Sequence, residues 1–134
     1  MVVPLQIPPN CDLTLGLNCV DKSTPGRSVW RMRVDERFVN PAGLVQGGFL
    51  AAMADSAMGA CAVSSAGDRK VSVANTEMKV SFLRPARPGS VLTCSAGVLK
   101  AGRAITFVQA RITDQDGQLI ATASSSYLVK ERTE

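Results

Sequence analysis

The 134-residue chain contains no histidine. That absence removes Ser-His-Asp and Cys-His nucleophiles, histidine-based dehydratases and most zinc sites. Chemistry has to come from carboxylates, amides, hydroxyls, backbone N–H groups or a cofactor. Aromatic residues are scarce at 4%, and the 15 Lys+Arg against 11 Asp+Glu leave a net charge of only +4, scattered singly along the chain. Such a pattern builds no stacking platform for nucleic acid, although it suits a small anionic ligand. None of Cys11, Cys19, Cys61 and Cys94 stands in a CxxC pair, so each is expected to be a reduced, buried small hydrophobe and no metal is expected. The first residues, MVVPLQIPPN, lack a basic stretch followed by a long apolar core, which makes cytoplasmic the expected location.

With 46% apolar residues, the length suits one compact domain over residues 1–134. Residues 1–14, punctuated by Pro4, Pro8 and Pro9, read as an irregular lead-in. Residues 15–22 form a first strand candidate, followed by a turn at Thr24-Pro25-Gly26-Arg27. In SVWRMRVDE, residues 28–36, Trp30, Met32 and Val34 alternate with Arg31, Arg33 and Asp35, the period of a half-buried strand. After a loop over 40–46, residues 47–63 carry much alanine, little β-branching and no proline, and predict a helix. Apolar residues surround it on every side, so it is expected to be buried almost all round. A membrane span is rejected because the segment is short and Asp55 at its centre would cost about 2.5–3.5 kcal/mol there. Four strand-like stretches follow in a meander, at about 70–84, 90–99, 104–113 and 118–130. The fold class is therefore α+β, an antiparallel sheet wrapped around a long central helix.

Within that frame a few polar groups stand out. Asp55 is a lone carboxylate in an apolar helix, with no basic residue at 51, 52, 58 or 59 to pair with it; burial there would tune it toward base chemistry. Gly47 and Gly48 open the helix, where N–H groups have no intrahelical acceptor and can bind a developing oxyanion. Asn40 offers an amide NH₂ seven residues before Gly47. The apolar face of the following strand changes parity, from Val71 and Val73 to Met78, Val80 and Phe82, which predicts a bulge beside Asn75, Thr76 and Glu77. Glu77 reads as an outward-facing residue.

The run NPAGLVQGGFLAAMADSAMG resembles the signature of the hotdog-fold acyl-CoA thioesterases of the phenylacetic-acid-degradation and 4-hydroxybenzoyl-CoA type. In that family Asn or Gln is followed after six residues by Gly, and after seven more by Asp or Glu; Asn40, Gly47 and Asp55 stand at those places. VSVANTEMKVSFLRPARPG and the three strands after it extend the resemblance over about residues 15–130. It implies a hotdog fold and an acyl-CoA thioesterase in which Asp55 is nucleophile or general base, while the Gly47 N–H and Asn40 polarise the carbonyl. Gln46 and Gly48 would lie at the substrate, although the family's usual His-Gly-Gly is here Gln46-Gly47-Gly48. The family's helper Ser or Thr falls at Asn75 or Thr76. Coenzyme A enters as part of the substrate, with no separate cofactor, and Arg84, Arg87, Lys100 and Arg103 flank the turns where its phosphates would need cations. The family commonly assembles dimers into tetramers, so a dimer of dimers is implied. With Gln46 in place of histidine, a non-catalytic acyl-CoA-binding or regulatory hotdog domain is the alternative, against which the retained Asp55 argues.

Two physical points stand beside the resemblance. Eight residues of helix separate Gly47 from Asp55 by about 12 Å, too far for both to touch one carbonyl group. If both act, they come from two subunits across a twofold axis, which predicts a homodimer with composite sites. A thiolate with a pKa of about 8.5 also departs without protonation, so a carboxylate and an oxyanion hole suffice and no acid is required.

Overall fold

The computed structural model describes residues 5–132. A short helix, α1 (Asn10–Leu15), leads into β1 (Leu17–Asp21) and β2 (Arg27–Arg33); the long helix α2 (Gly47–Ser64) precedes β3 (Val71–Phe82), β4 (Val91–Ala101), β5 (Ile105–Thr113) and β6 (Leu119–Glu131). The α+β architecture expected from the sequence is the one found, with six antiparallel strands curled around one helix. Two expectations need correction. Residues 10–15 are helical instead of irregular: Pro9 sets the extended residue before the first turn, Asp12 and Leu15 point inward, and Gly16 ends the helix at φ 68°. Pro4 lies outside the described residues.

The second correction concerns strand order, β1-β2-β4-β5-β6-β3. Only β4, β5 and β6 form a meander. β3 lies at the sheet edge against β6, so residues 83–90 must carry the chain past two strands, three spacings or roughly 14 Å. This connection is pinned at its start by Leu83 N–H to the Ile120 carbonyl (2.8 Å), in its middle by Val45 N–H to the Ala86 carbonyl (2.9 Å) and at its end by Gly89 N–H to the Val34 carbonyl (2.7 Å). The docked loop brings Arg84 beside the start of α2.

Strand faces follow the alternation expected. Trp30 and Met32 of β2, Leu92, Cys94 and Ala96 of β4, and Val108, Ala110 and Ile112 of β5 all point into the core. The register of β3 against β6 shifts between Asn75 and Glu77, with Asn75 opposite Tyr127 and Glu77 opposite Ser126. Thr76 is thus the extra residue of a bulge, its Oγ1 donating to the Ser126 carbonyl at 2.9 Å. The parity change in the sequence is this bulge.

α2 is long and apolar enough to cross a membrane by length and composition. In the fold, one face of it, Leu50, Met53, Ala54, Ala57, Met58, Cys61 and Ala62, packs under the sheet. Met53 and Met58 are wholly buried, worth about 1.5–3 kcal/mol each. The opposite face, which includes Asp55, Gly59, Ala60 and Val63, is exposed or half-buried. This corrects the expectation of a helix buried all round: one sheet covers one side, and α1 with the residues before it covers the other only in part.

Cys61 and Cys94 are buried as expected, whereas Cys11, on the outward side of α1, and Cys19, on the edge strand β1, are exposed. Burial pushes the Cys94 thiol up to about 12 and raises Cys61 as well. A thiol with a raised folded pKa contributes stability that is complete below its unfolded value, about 8.5, and that is lost as pH climbs through the folded one. Stability is therefore expected to fall from about pH 8.5 upward. Cys94→Ala should be less stable at neutral pH but lose much less as the pH rises, which denaturant titrations at a series of pH values will read; an unchanged slope would show that Cys94 is not its source.

Candidate active site

Asp55 lies midway along α2, on the face turned away from the core, and is exposed in the single chain. That corrects the expectation of a buried carboxylate: the sheet covers only the other side of the helix. The carboxylate is nevertheless held. Tyr127 O–H donates to Asp55 Oδ1 at 2.6 Å and Asn75 Nδ2 donates to the same oxygen at 3.0 Å, and no described side chain donates to Oδ2. One oxygen is clamped and the other has no side-chain donor among the described residues.

The clamp has its own support. Tyr127 is almost fully buried on the inner face of β6, with its ring 3.7 Å from where a Cβ on Gly59 would lie. Burial, and then the bond to Asp55, raise the Tyr127 phenol above its ordinary value, so it remains a donor through neutral and mildly alkaline pH. Asn75 Nδ2 also lies 3.2 Å from Ser125 Oγ. Facing a carboxylate fixes the amide with its NH₂ toward Asp55 and leaves Asn75 Oδ1 buried without a partner among the described residues. Of Asn75 and Thr76, between which the sequence leaves the helper position open, Asn75 reaches the Asp55 carboxylate, and Thr76 is turned outward by the bulge. Tyr127 and Ser125 were missed by sequence reasoning. The available signal was a polar run, Ser124 to Tyr127, in a strand whose alternate residues face the core.

A second set of candidates assembles elsewhere. Asn40, Gly47 and Arg84 line one open cavity of about 400 Å³ together with Leu50 and Phe82. Asn40 Oδ1 accepts from the Ala42 and Leu44 N–H groups at 2.9 and 3.1 Å, which locks the loop and leaves the amide NH₂ as the free end. Gly47 begins α2, where the helix supplies no acceptor for its N–H. Its lack of a side chain lets the Phe82 ring lie against the helix start: a Cβ would stand 2.8 Å from that ring, which is exposed and would have to swing aside. Asp55 does not line this cavity; it lines another, of about 600 Å³, with residues of the N-terminal segment and α2.

The remaining candidates are dispersed. Gln46 and Gly48 line a third hollow, on the α1 side of the helix start, with Cys11 and Phe49. Arg87 is exposed three residues beyond Arg84, and Lys100 is exposed near the end of β4. Arg103 lines a small cavity with Ala62 and Arg69, about 22 Å along α2 from Gly47. Within one chain neither Lys100 nor Arg103 shares the Asn40–Gly47 cavity. Glu77 is exposed beside the outer sheet face. Among the described residues no three His, Cys, Asp or Glu side chains gather as metal ligands.

An antiparallel sheet closed around one helix, with a carboxylate halfway along the helix and backbone donors at its start, defines the hotdog class of thioester hydrolases. The chain belongs to the Thioesterase superfamily, whose model matches residues 42–121. It is 30% identical over 113 residues to acyl-coenzyme A thioesterase 13 of Homo sapiens, covering 84% of this chain and 79% of that protein. Among solved structures it resembles a putative thioesterase from Ralstonia eutropha described as phenylacetic acid degradation-related, at TM-score 0.80 and 31% identity over 94% of this chain and 92% of the other. The PaaI protein of the E. coli phenylacetic acid degradation operon shares the fold at TM-score 0.86 and 23% identity, covering 93% and 87% of the two chains. A Streptococcus mutans protein with the same fold, at TM-score 0.80 and 19% identity over 88% and 91%, was crystallised bound to acetyl CoA.

Proposed function

We propose that this protein hydrolyses acyl-coenzyme A thioesters at composite sites, each built from Asp55 of one subunit and Asn40, Gly47 and Arg84 of another. The observation that carries the proposal is the division of the candidates: a carboxylate clamped through one oxygen in one cavity, and two carbonyl-polarising donors with a cation in a different cavity of the same chain. The names of the relatives supply the substrate class. A second copy of the chain is supported by β3, a twelve-residue edge strand whose outer side has no strand partner among the described residues and which carries Asn75; such an edge favours pairing with another strand.

In the reaction the Asn40 NH₂ and the Gly47 N–H receive the carbonyl oxygen as it becomes negative. Asp55 Oδ2 either attacks the carbonyl carbon, expelling the coenzyme A thiolate and giving an anhydride that water opens, or takes a proton from water as that water attacks. Both routes release a carboxylic acid and coenzyme A, and in both the thiolate leaves without an acid. Arg84 meets a coenzyme A phosphate. Gln46 in place of histidine leaves the Gly47 backbone donor unchanged. The test is release of free thiol by the parent protein from acyl-CoAs of varied acyl group. Turnover of at least one of them is expected; tight binding with no turnover of any would identify a binding domain instead.

A further inference from the structure

We infer that residues 5–15 form the specificity-determining wall of an acyl groove that begins at Asp55 and takes a medium-chain acyl group; this rests on the hydrolysis site proposed above. The cavity of about 600 Å³ that Asp55 lines runs along the open face of α2. Its floor is Asp55, Gly59 and Val63, one residue per turn, with Ala60 beside them. From Asp55 to Val63 the floor measures about 12 Å, the reach of an extended medium-length alkyl chain. Gly59 and Ala60 leave space where larger side chains would fill it.

One wall comes from the N-terminal segment, and β1 with Leu17 and Cys19 supplies another. Leu5 and Ile7 border the same cavity, yet are 57% and 68% exposed; an alkyl chain in the groove would cover them. The N-terminal wall is tied down by Leu15, which is buried in the core, and by a polar contact nearer Asp55. Asp12 of α1 is only 4% exposed and accepts a hydrogen bond from Ser56 Oγ at 2.9 Å, and among the described residues no cation pairs with it. Its partner is the residue after Asp55. The bond thus fixes wall to floor at the end of the groove where the thioester would lie, which makes Asp12 a positioning residue for substrate length.

Non-hydrolysable S-alkyl coenzyme A thioethers, from ethyl to hexadecyl, test this by calorimetric titration of the full chain. Affinity is expected to rise two- to fourfold per methylene up to octyl or decyl and then to level off. Ala60→Leu, which fills the floor, should weaken decyl binding at least tenfold while leaving ethyl binding unchanged. Asp12→Ala should flatten the chain-length dependence, and Asp12→Asn, which keeps an acceptor for Ser56, should restore it. If Asp12→Ala fails to fold, Ala60→Leu still decides the matter. A parent protein with no chain-length dependence, or an Ala60→Leu variant with the parent's profile, overturns the inference even if acyl-CoAs are hydrolysed. A length-dependent profile that Ala60→Leu shortens, in a protein that hydrolyses none of them, supports the groove and removes the hydrolysis proposal.

Discussion

Asp55→Asn protein is expected to melt like the parent and to release thiol from acyl-CoA about 10²–10⁴ times more slowly, the range typical of a lost general base. The substitution is nearly isosteric. Its amide oxygen can take the place of Oδ1 and accept from Tyr127 O–H and Asn75 Nδ2, the two bonds that hold the carboxylate now. What changes is the second position, where an NH₂ replaces the free Oδ2 and has neither the charge nor the lone pair to attack a carbonyl or take a proton from water. Fold and clamp should therefore survive while chemistry is lost, and the affinity for S-alkyl coenzyme A thioethers should stay within a few-fold of the parent's. Initial rates of thiol release, measured beside thermal melts, read the two separately. Parent-like turnover by the variant would remove Asp55 from the mechanism. Tyr127→Phe and Asn75→Ala, which each take away one of two bonds to Oδ1, are expected to cost less than Asp55→Asn.

Several of these elements were legible because they depend on local pattern. The alanine-rich run after Gly47 gives α2, and the strand faces follow from alternate residues such as Leu92, Cys94 and Ala96. The bulge at Thr76 showed as a change of parity, because Val71 and Val73 before it and Met78 and Val80 after it had to face one core, although Phe82, next in that phase, ends up exposed. What was not legible depends on which strands become neighbours. Asn75 meets Tyr127 because β3 pairs with β6, and that pairing follows from the path of residues 83–90 across the sheet, which leaves no periodic trace. Asp12 and Ser56 are 44 residues apart and meet only when α1 folds over α2. The exposure of Asp55 is not legible for a related reason: hydropathy says that a helix is apolar on all sides, but not how many of those sides one chain can cover. That a single chain leaves this face open is itself an argument for a second subunit.

Mixing two inactive proteins is expected to restore activity, and the amount follows from the symmetry of the proposed dimer. Asn40→Asp keeps Oδ1 as the acceptor for the Ala42 and Leu44 N–H groups, so the loop stays in place, but it replaces the donating NH₂ with a negative oxygen aimed at the developing oxyanion. It should be nearly inactive by itself, as should Asp55→Asn. In a heterodimer of the two, one site combines the intact Asp55 of the first chain with the intact Asn40 of the second, while the other site carries both lesions. Random exchange of equal amounts makes about half of the dimers mixed, each with one working site of two, so activity should return to about a quarter of the parent level. Gly47→Pro, which removes the N–H at the first helical position, where proline is tolerated, and needs only the exposed Phe82 ring to move aside, should complement Asp55→Asn in the same way. A site built within one chain predicts no recovery from any mixture, since every chain would bring its own lesion to its own site. Subunit exchange has to be confirmed on the same samples, for example by native mass spectrometry. If exchange is complete, both variants are folded and the rate stays at the level of the single variants, Asp55 and Asn40 do not act on the same carbonyl across an interface.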